Sequence, residues 1–187
     1  ATDLACRRGE RLLFRGLSLD LVPGDALHIT GANGIGKSSL LRILAGLMNA
    51  YSGKVTHEGG IGLVDERPAL DPNLPLGKAL GFWQMIDGCN DPSGALAAME
   101  LNGLLEVPVR YLSTGQRKRA ALAALLNRGA PIWLLDEPLN GLDASARDKL
   151  IALVQMHCGG GGIAVIASHM ELPILGLKTL ALEDFVP

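Results

Sequence analysis

Aromatic residues are scarce: three Phe, two Trp and two Tyr make up 4% of 187 residues. So small a supply argues against a surface that binds single-stranded nucleic acid by base stacking. An excess of basic charge is missing too. Seventeen Lys and Arg stand against 19 Asp and Glu, for a net charge of −2. Without a basic block there is no electrostatic footprint of a DNA or RNA binder, and no nucleic-acid partner is expected. No apolar run reaches the roughly 18 residues needed to cross a bilayer. The N-terminal stretch lacks the long apolar segment of a secretory leader. The cysteines, Cys6, Cys89 and Cys158, are odd in number and far apart, with no C-x-x-C. Reduced, unpaired thiols in the cytosol are the expectation. No internal repeat is visible. At 48% hydrophobic and 19% charged, the chain suits one globular domain with a normal core. Its mean hydropathy of +0.26 is high for a free-standing soluble enzyme, which hints at apolar surface reserved for a partner.

What the chain does have is Gly31, Ala32, Asn33, Gly34, Ile35, Gly36, Lys37 and Ser38, a complete G-x-x-x-x-G-K-S loop. Glycines let the backbone wrap closely, so that successive N–H groups point at phosphate oxygens. Lys37 would reach the β- and γ-phosphates, and the Ser38 hydroxyl would hold Mg2+. A chance match is conceivable in a chain with 24 Gly. The context speaks against chance: residues 26–30 read as a buried strand, and Ser39 opens a helical pattern. The N-terminal dipole of that helix favours phosphate.

The hydrophobic pattern predicts further elements. Residues 12–21 alternate as a strand, and Pro23-Gly24-Asp25 is a turn. The first helix ends near residues 46–49. Short strands follow at 52–56 and 60–64. Residues 68–102, rich in Pro, Gly, Ala and Leu, read as a helical insertion with helices near 77–87 and 92–100. A strong helix covers 115–127, a fully apolar strand 131–135 and another helix 144–157. The glycines at 159–162 make a mobile turn into a buried strand at 163–167. A last short element covers 180–186. Apolar strands alternating with helices argue for an α/β fold, a mainly parallel sheet with helices on both faces.

The strand at 131–135 runs into Asp136 and Glu137. Ligands of open parallel sheets sit at the carboxyl ends of strands. Asp136 can therefore meet a loop-bound Mg2+, and Glu137 can take a proton from a water attacking the γ-phosphate. A solvated acidic turn is the plainer alternative. Leu112, Ser113, Thr114, Gly115 and Gln116 directly precede the alanine-rich helix. Ser113 suits an N-cap, and its hydroxyl with the Gly115 N–H could also face a phosphate. Arg117, Lys118 and Arg119 sit where helix-dipole logic favours acids, so an anion nearby would account for them. His28, His57 and His157 read as structural.

Together these motifs resemble the nucleotide-binding domain of an ATP-binding cassette (ABC) transporter. Leu112 to Gln116 resemble its LSGGQ signature, with Thr114 replacing a glycine. Leu134-Leu135-Asp136-Glu137-Pro138 resemble its acidic strand. Asn140-Gly141-Leu142-Asp143 resemble its D-loop, and Ala167-Ser168-His169 supplies the switch histidine. Within that superfamily the chain is similar to the ATP-binding subunits of c-type cytochrome biogenesis, long called heme exporter ATPases. The matching text includes Cys6-Arg7-Arg8-Gly9-Glu10-Arg11, the phosphate loop continuing through Ser39, Ser113 to Arg119, and Ile132 to Pro138.

The resemblance implies a P-loop NTPase fold: a RecA-like, mainly parallel core with antiparallel N-terminal strands and a helical insert. A single domain is implied, with its core at about 1–67 and 128–187 and a helical part at about 68–127. It implies an ATPase that uses ATP and Mg2+, with residues 31–39 on the nucleotide and Glu137 and His169 in catalysis. Ser38, Asp136 and Glu66 would serve the metal. Residues 112–116 would act across a homodimer, on the nucleotide of the other subunit, and Asp143 would belong to the D-loop. An integral-membrane permease is the implied partner, with this chain peripheral on the cytoplasmic face of a bacterial inner membrane. The insert is the expected docking surface, with Leu76 and Phe82 as candidate contacts. Glu66 stands where the family's Q-loop glutamine is usual, and the aromatic residue that stacks on adenine is missing. Arg8 lies near that position, and a guanidinium plane can stack on a base. A solvated turn residue is an equal alternative for Arg8. Another exporter, of drugs or peptides, or a soluble non-transport ATPase remain competing readings.

Overall fold

Three strand ends lie in one row at the centre of the molecule. Asp136 pairs with Ala167, and Ala167 pairs with Ile29. Everything that leaves these strands at their carboxyl ends therefore emerges side by side. The computed structural model describes residues 1–65, 68–88 and 91–187.

Among these residues a five-stranded sheet has the order β5-β6-β7-β3-β8. It comprises β5 (Ile61–Val64), β6 (Ile132–Asp136), β7 (Ile163–Ala167), β3 (Ala26–Thr30) and β8 (Lys178–Ala181). All four pairings are parallel. A second, antiparallel sheet has the order β2-β1-β4, from β1 (Thr2–Arg8), β2 (Arg11–Leu17) and β4 (Ser52–Lys54). The helices are α1 (Lys37–Leu44), α2 (Leu76–Asp87), α3 (Ser93–Ala98), α4 (Thr114–Arg128) and α5 (Ala144–Gly159).

The parallel strands read as continuous apolar runs because both faces are covered. Alternate residues go to opposite cores, as the period of two requires. Leu27, Ile29, Leu134 and Val165 join a cluster with Leu40 and Leu41 of α1 and with Leu4 and Phe14 of the small sheet. Ala26, Trp133, Leu135 and Ile166 join the other cluster, with residues of α2, α4 and α5. Thus α1 and the antiparallel sheet cover one face, and the remaining helices cover the other. The helical segment shares a continuous core with the sheet through Ala120, Leu122, Ala123 and Leu125 of α4.

Several boundaries move from the sequence expectation. β2 ends at Leu17, where an alternating pattern suggests strand as far as 21. Leu19 and Leu21 instead pack against the core from the loop. β1 is not announced by its own pattern: Leu4, Ala5 and Cys6 are buried in succession. The final element divides into β8 and a 3-10 turn, Leu182–Phe185. Cys6 and Cys158 are free and buried, whereas Cys89 lies outside the described residues. No helix among those described is long and apolar enough to cross a membrane.

One docking candidate needs correction. Leu76 is fully buried at the start of α2 and belongs to the core, so it cannot meet a partner. Phe82 is 54% exposed, with Met85 at 79% and Ile86 at 60% beside it. The spacing of these three residues places them on one helix face.

Candidate active site

The phosphate loop leaves β3 and turns sharply into α1. Gly31, Gly34 and Gly36 have φ of +140°, +79° and +126°, values that a side chain would strain. The loop closes so that Lys37 is only 6% exposed. Its ammonium donates to the carbonyls of Gly31 at 2.6 Å and Ala32 at 3.4 Å, and lies 3.9 Å from Glu137 Oε1.

A cleft of about 560 Å3 opens over this loop. Its walls include Asn33, Gly34, Gly36, Lys37, Ser38 and Ser39 from the loop side, and Asp136, Glu137, Asn140 and His169 from the facing strand ends. Gly31, Ala32 and Ile35 shape the loop without lining the cleft. The site thus assembles the sequence candidates Lys37, Ser38, Asp136, Glu137 and His169 in one place.

Glu137 occupies a left-handed backbone conformation, φ +44°, which costs on the order of 1 kcal/mol for a non-glycine residue. Its N–H donates to Ala167 O at 2.8 Å, so the register of β6 and β7 holds the strain. The turn aims the carboxylate at the loop. There Oε2 accepts a hydrogen bond from His169 Nδ1 at 2.9 Å. With a carboxylate as acceptor, the ring proton resides on Nδ1.

Asp136 is 4% exposed, and its Oδ1 is buried without a hydrogen-bond partner. Burial pushes its carboxyl above the ordinary value. The Ser38 hydroxyl pulls it back, the Asp65 and Glu137 charges raise it, and Lys118 lowers it. A buried, orphaned carboxylate oxygen next to a hydroxyl is a donor set for a hard divalent cation. Ser38 and Asp136 therefore fit Mg2+. Glu66, the third candidate, lies outside the described residues, as does Arg67.

The signature segment is built as a helix start. Gln116 N–H donates to Ser113 Oγ at 3.1 Å, and Ser113 N–H donates to Gln116 Oε1 at 2.8 Å, a full capping box. Ser113 Oγ accepts in this bond, so its own proton stays available for an outside acceptor. Among the described residues none of Leu112, Ser113, Thr114, Gly115 or Gln116 lines the cleft.

The basic residues that follow make hydrogen bonds within the chain. Arg117 donates to Leu112 O at 2.6 Å, and Arg119 to Met99 O at 3.1 Å and Glu100 Oε2 at 3.2 Å. Lys118, 3% exposed, runs inward to Asp136 O at 3.4 Å. Asp143 also does local work: its Oδ1 accepts the Ala146 N–H at 2.8 Å and caps α5.

At the mouth of the cleft stand Arg8 and Arg11, cross-strand partners in the β1–β2 hairpin. Like charges directly opposite cost stability unless something acceptor-rich lies between them. Arg11 escapes a sequence reading centred on Arg8, although the Gly9-Glu10 turn was the available signal. The other histidines are structural. His28 contacts Ser168 O at 3.0 Å, His57 contacts Gly59 O at 3.1 Å, and His157 stacks on Trp133 with centroids 3.8 Å apart.

Known proteins resemble this chain in sequence and in fold. A family model described as ABC transporter matches residues 14–140. The chain is 56% identical to the cytochrome c biogenesis ATP-binding export protein CcmA of Novosphingobium aromaticivorans, across 100% of this chain and 96% of that one. Identity to the protein of the same name from Zymomonas mobilis is 51%, across 98% and 84%. Of solved structures, an ATP-binding subunit of an ABC transporter superposes with a TM-score of 0.81 at 20% identity, covering 90% of this chain and 78% of that one. A dimeric ATP-binding cassette in a post-hydrolysis state, bound to ADP and Pi, gives 0.79 at 23% identity, covering 90% and 86%. These two likenesses speak for the fold alone, that of a P-loop NTPase.

Proposed function

Because this chain belongs to the ABC transporter family, we propose that it hydrolyses ATP to drive an export step in c-type cytochrome biogenesis. The observation that carries the chemistry is the single cleft shared by Lys37, Ser38, Asp136, Glu137 and His169. The export role rests on the relatives named above, which match the chain over nearly its whole length.

Residues 31–39 hold the triphosphate. The loop N–H groups other than that of Ala32, which Glu183 holds, and the α1 dipole meet the phosphate oxygens, and Lys37 turns its ammonium to the β- and γ-phosphates. Ser38 and Asp136 would hold Mg2+, which would supply positive charge against the phosphates. Glu137 accepts the proton of the attacking water. His169 holds that carboxylate through Nδ1 and faces the γ-phosphate. Arg8, with Arg11 beside it, covers the base.

The signature works in trans. With none of residues 112–116 in the chain's own cleft, the Ser113 proton and the Gly115 N–H are available to a nucleotide on a second copy. Asp143 lies two residues after Gly141, whose carbonyl Gly115 packs against. ATP thereby joins a homodimer, and its hydrolysis releases it. An integral-membrane permease docks on the exposed face of α2 formed by Phe82, Met85 and Ile86. The chain then lies peripherally on the cytoplasmic side of a bacterial inner membrane, powering heme export or release of its carrier.

Calorimetry with Mg-ATP tests the site. Lys37→Ala removes the cation facing the β- and γ-phosphates and is expected to weaken binding strongly; unchanged affinity would reject the loop assignment. Recovery of the wild-type chain with an integral-membrane protein tests the export role.

A further inference from the structure

Register places a carboxylate at the root of the phosphate loop. β3 and β8 run parallel, with Thr30 paired to Ala181. One strand leaves this row into Gly31 and Ala32, the other into the 3-10 turn Leu182–Phe185. Leu182 is fully buried, and Phe185 packs against the same cluster as Phe14 and Ile29. Between these two anchors, Glu183 is held over the loop.

Glu183 Oε1 accepts the Ala32 N–H at 2.9 Å. A Cβ built on Gly31 would lie 3.1 Å from Glu183 Oε2 and 3.2 Å from Oε1. The carboxylate thus rests against the Gly31 Cα, and Gly31 has no side chain to push it away. The same peptide unit is gripped at its other end, where Lys37 Nζ donates to Gly31 O at 2.6 Å. One peptide plane carries an ammonium on its carbonyl and a carboxylate on its N–H. Both charges polarise the peptide in the same sense, so each bond strengthens the other. Neither Glu183 nor Ala32 lines the cleft. The carboxylate meets the loop from its outer side, away from the phosphates it would repel.

We propose that Glu183 is a positioning residue for nucleotide binding. By fixing the Gly31–Ala32 peptide it presets Lys37 and the loop amides before the nucleotide arrives. This rests on assigning residues 31–39 to the phosphates. Without an acceptor at this position, the Ala32 N–H turns to water and the peptide rotates, so binding must pay for ordering the loop. The loop holds substrate and transition state alike, so the loss appears in KM and not in kcat.

The test compares Glu183→Gln, Glu183→Ala and Glu183→Met in the full chain. Mg-ATP affinity, steady-state ATPase and thermal midpoint are measured for each. Gln keeps an Oε1 acceptor in reach and is expected to restore affinity to within about twofold of wild type. Ala and Met remove it and are expected to weaken Mg-ATP binding by about five- to tenfold, with KM rising in step and kcat held within about twofold. Met fills more of the space than Ala, so it serves if the Ala variant does not fold. Affinity unchanged in Ala and Met, with only the thermal midpoint lowered, overturns the proposal. So does a Gln variant as weak as Ala. Mg-ATP affinity unchanged by Lys37→Ala would instead reject the phosphate-loop assignment, which is a distinct result.

Discussion

Gly115, in the first turn of α4, packs against the backbone carbonyl of Gly141: a Cβ at Gly115 would stand 2.5 Å from that oxygen. On the other side, a Cβ at Gly141 would meet Thr114 Cγ2 at 3.1 Å. The signature helix and the D-loop are thus locked together within one chain. Gly115→Ala must displace backbone, not a flexible side chain. We expect it to keep Mg-ATP binding at Lys37, which lies elsewhere, and to lower ATP turnover at least tenfold by misplacing the signature. Calorimetry beside a phosphate-release assay checks this. Turnover at the wild-type level would show that the junction tolerates the shift.

Glu137 sits between Lys37 and His169, 3.9 Å from one and 2.9 Å from the other. Glu137→Gln keeps the shape and removes the basicity. The variant is expected to bind Mg-ATP, to hydrolyse it about a hundredfold more slowly, and to accumulate as an ATP-bound dimer on size exclusion. Near-normal turnover would mean that another group activates the water.

Composite sites can be tested by mixing. Each homodimer of Lys37→Ala or of Ser113→Arg carries a lesion in both sites and is expected to be inactive. In the mixed dimer both lesions fall in one site and leave the other whole. Partial recovery of ATPase activity on mixing is the expected result. An active Ser113→Arg homodimer would remove the signature from the mechanism.

Leu76 and Phe82 lie on the same helix and predict opposite phenotypes. Phe82→Asp changes an exposed position. It is expected to reduce recovery with membranes while Mg-ATP affinity and thermal midpoint stay near wild type. Leu76→Asp buries an unpaired charge, which costs about 3 kcal/mol or more, and is expected to aggregate. Membrane recovery unaffected by Phe82→Asp and by Met85→Asp would clear the α2 face of a docking role.

Burial of His157 against Trp133 pushes its pKa below the ordinary 6.5, against hydrogen bonds to Ile163 and Pro131 that raise it. The unfolded chain therefore takes up a proton near pH 6.5 while the folded ring stays neutral. The folded state is penalised increasingly as pH falls below that value, and not above it. His157→Phe keeps a ring on Trp133 but cannot titrate. Its thermal midpoint is expected to depend less on pH between about 7 and 5 than that of wild type. Equal slopes for the two proteins would place the acid sensitivity elsewhere.

The sequence by itself determined the local pieces. The glycines and Lys37 prescribe a phosphate loop, because a short window contains the whole steric and chemical requirement. The apolar run ending in Asp136 and Glu137 prescribes a buried strand with acids at its tip. Ser113 and Gln116, three residues apart, prescribe a capped helix. Tertiary structure decided which pieces meet. Whether Asp136, Ala167 and Ile29 share a row depends on strand register across more than a hundred residues, and no local window carries it. Arg11 reaches the cleft only through the hairpin, and Glu183 reaches Ala32 only through the pairing of β3 with β8. The sequence pattern predicts a helix near 77–87, but not which of its apolar residues are buried. Packing alone put Leu76 inside and left Phe82 out, because burial is a property of neighbours and not of the residue itself.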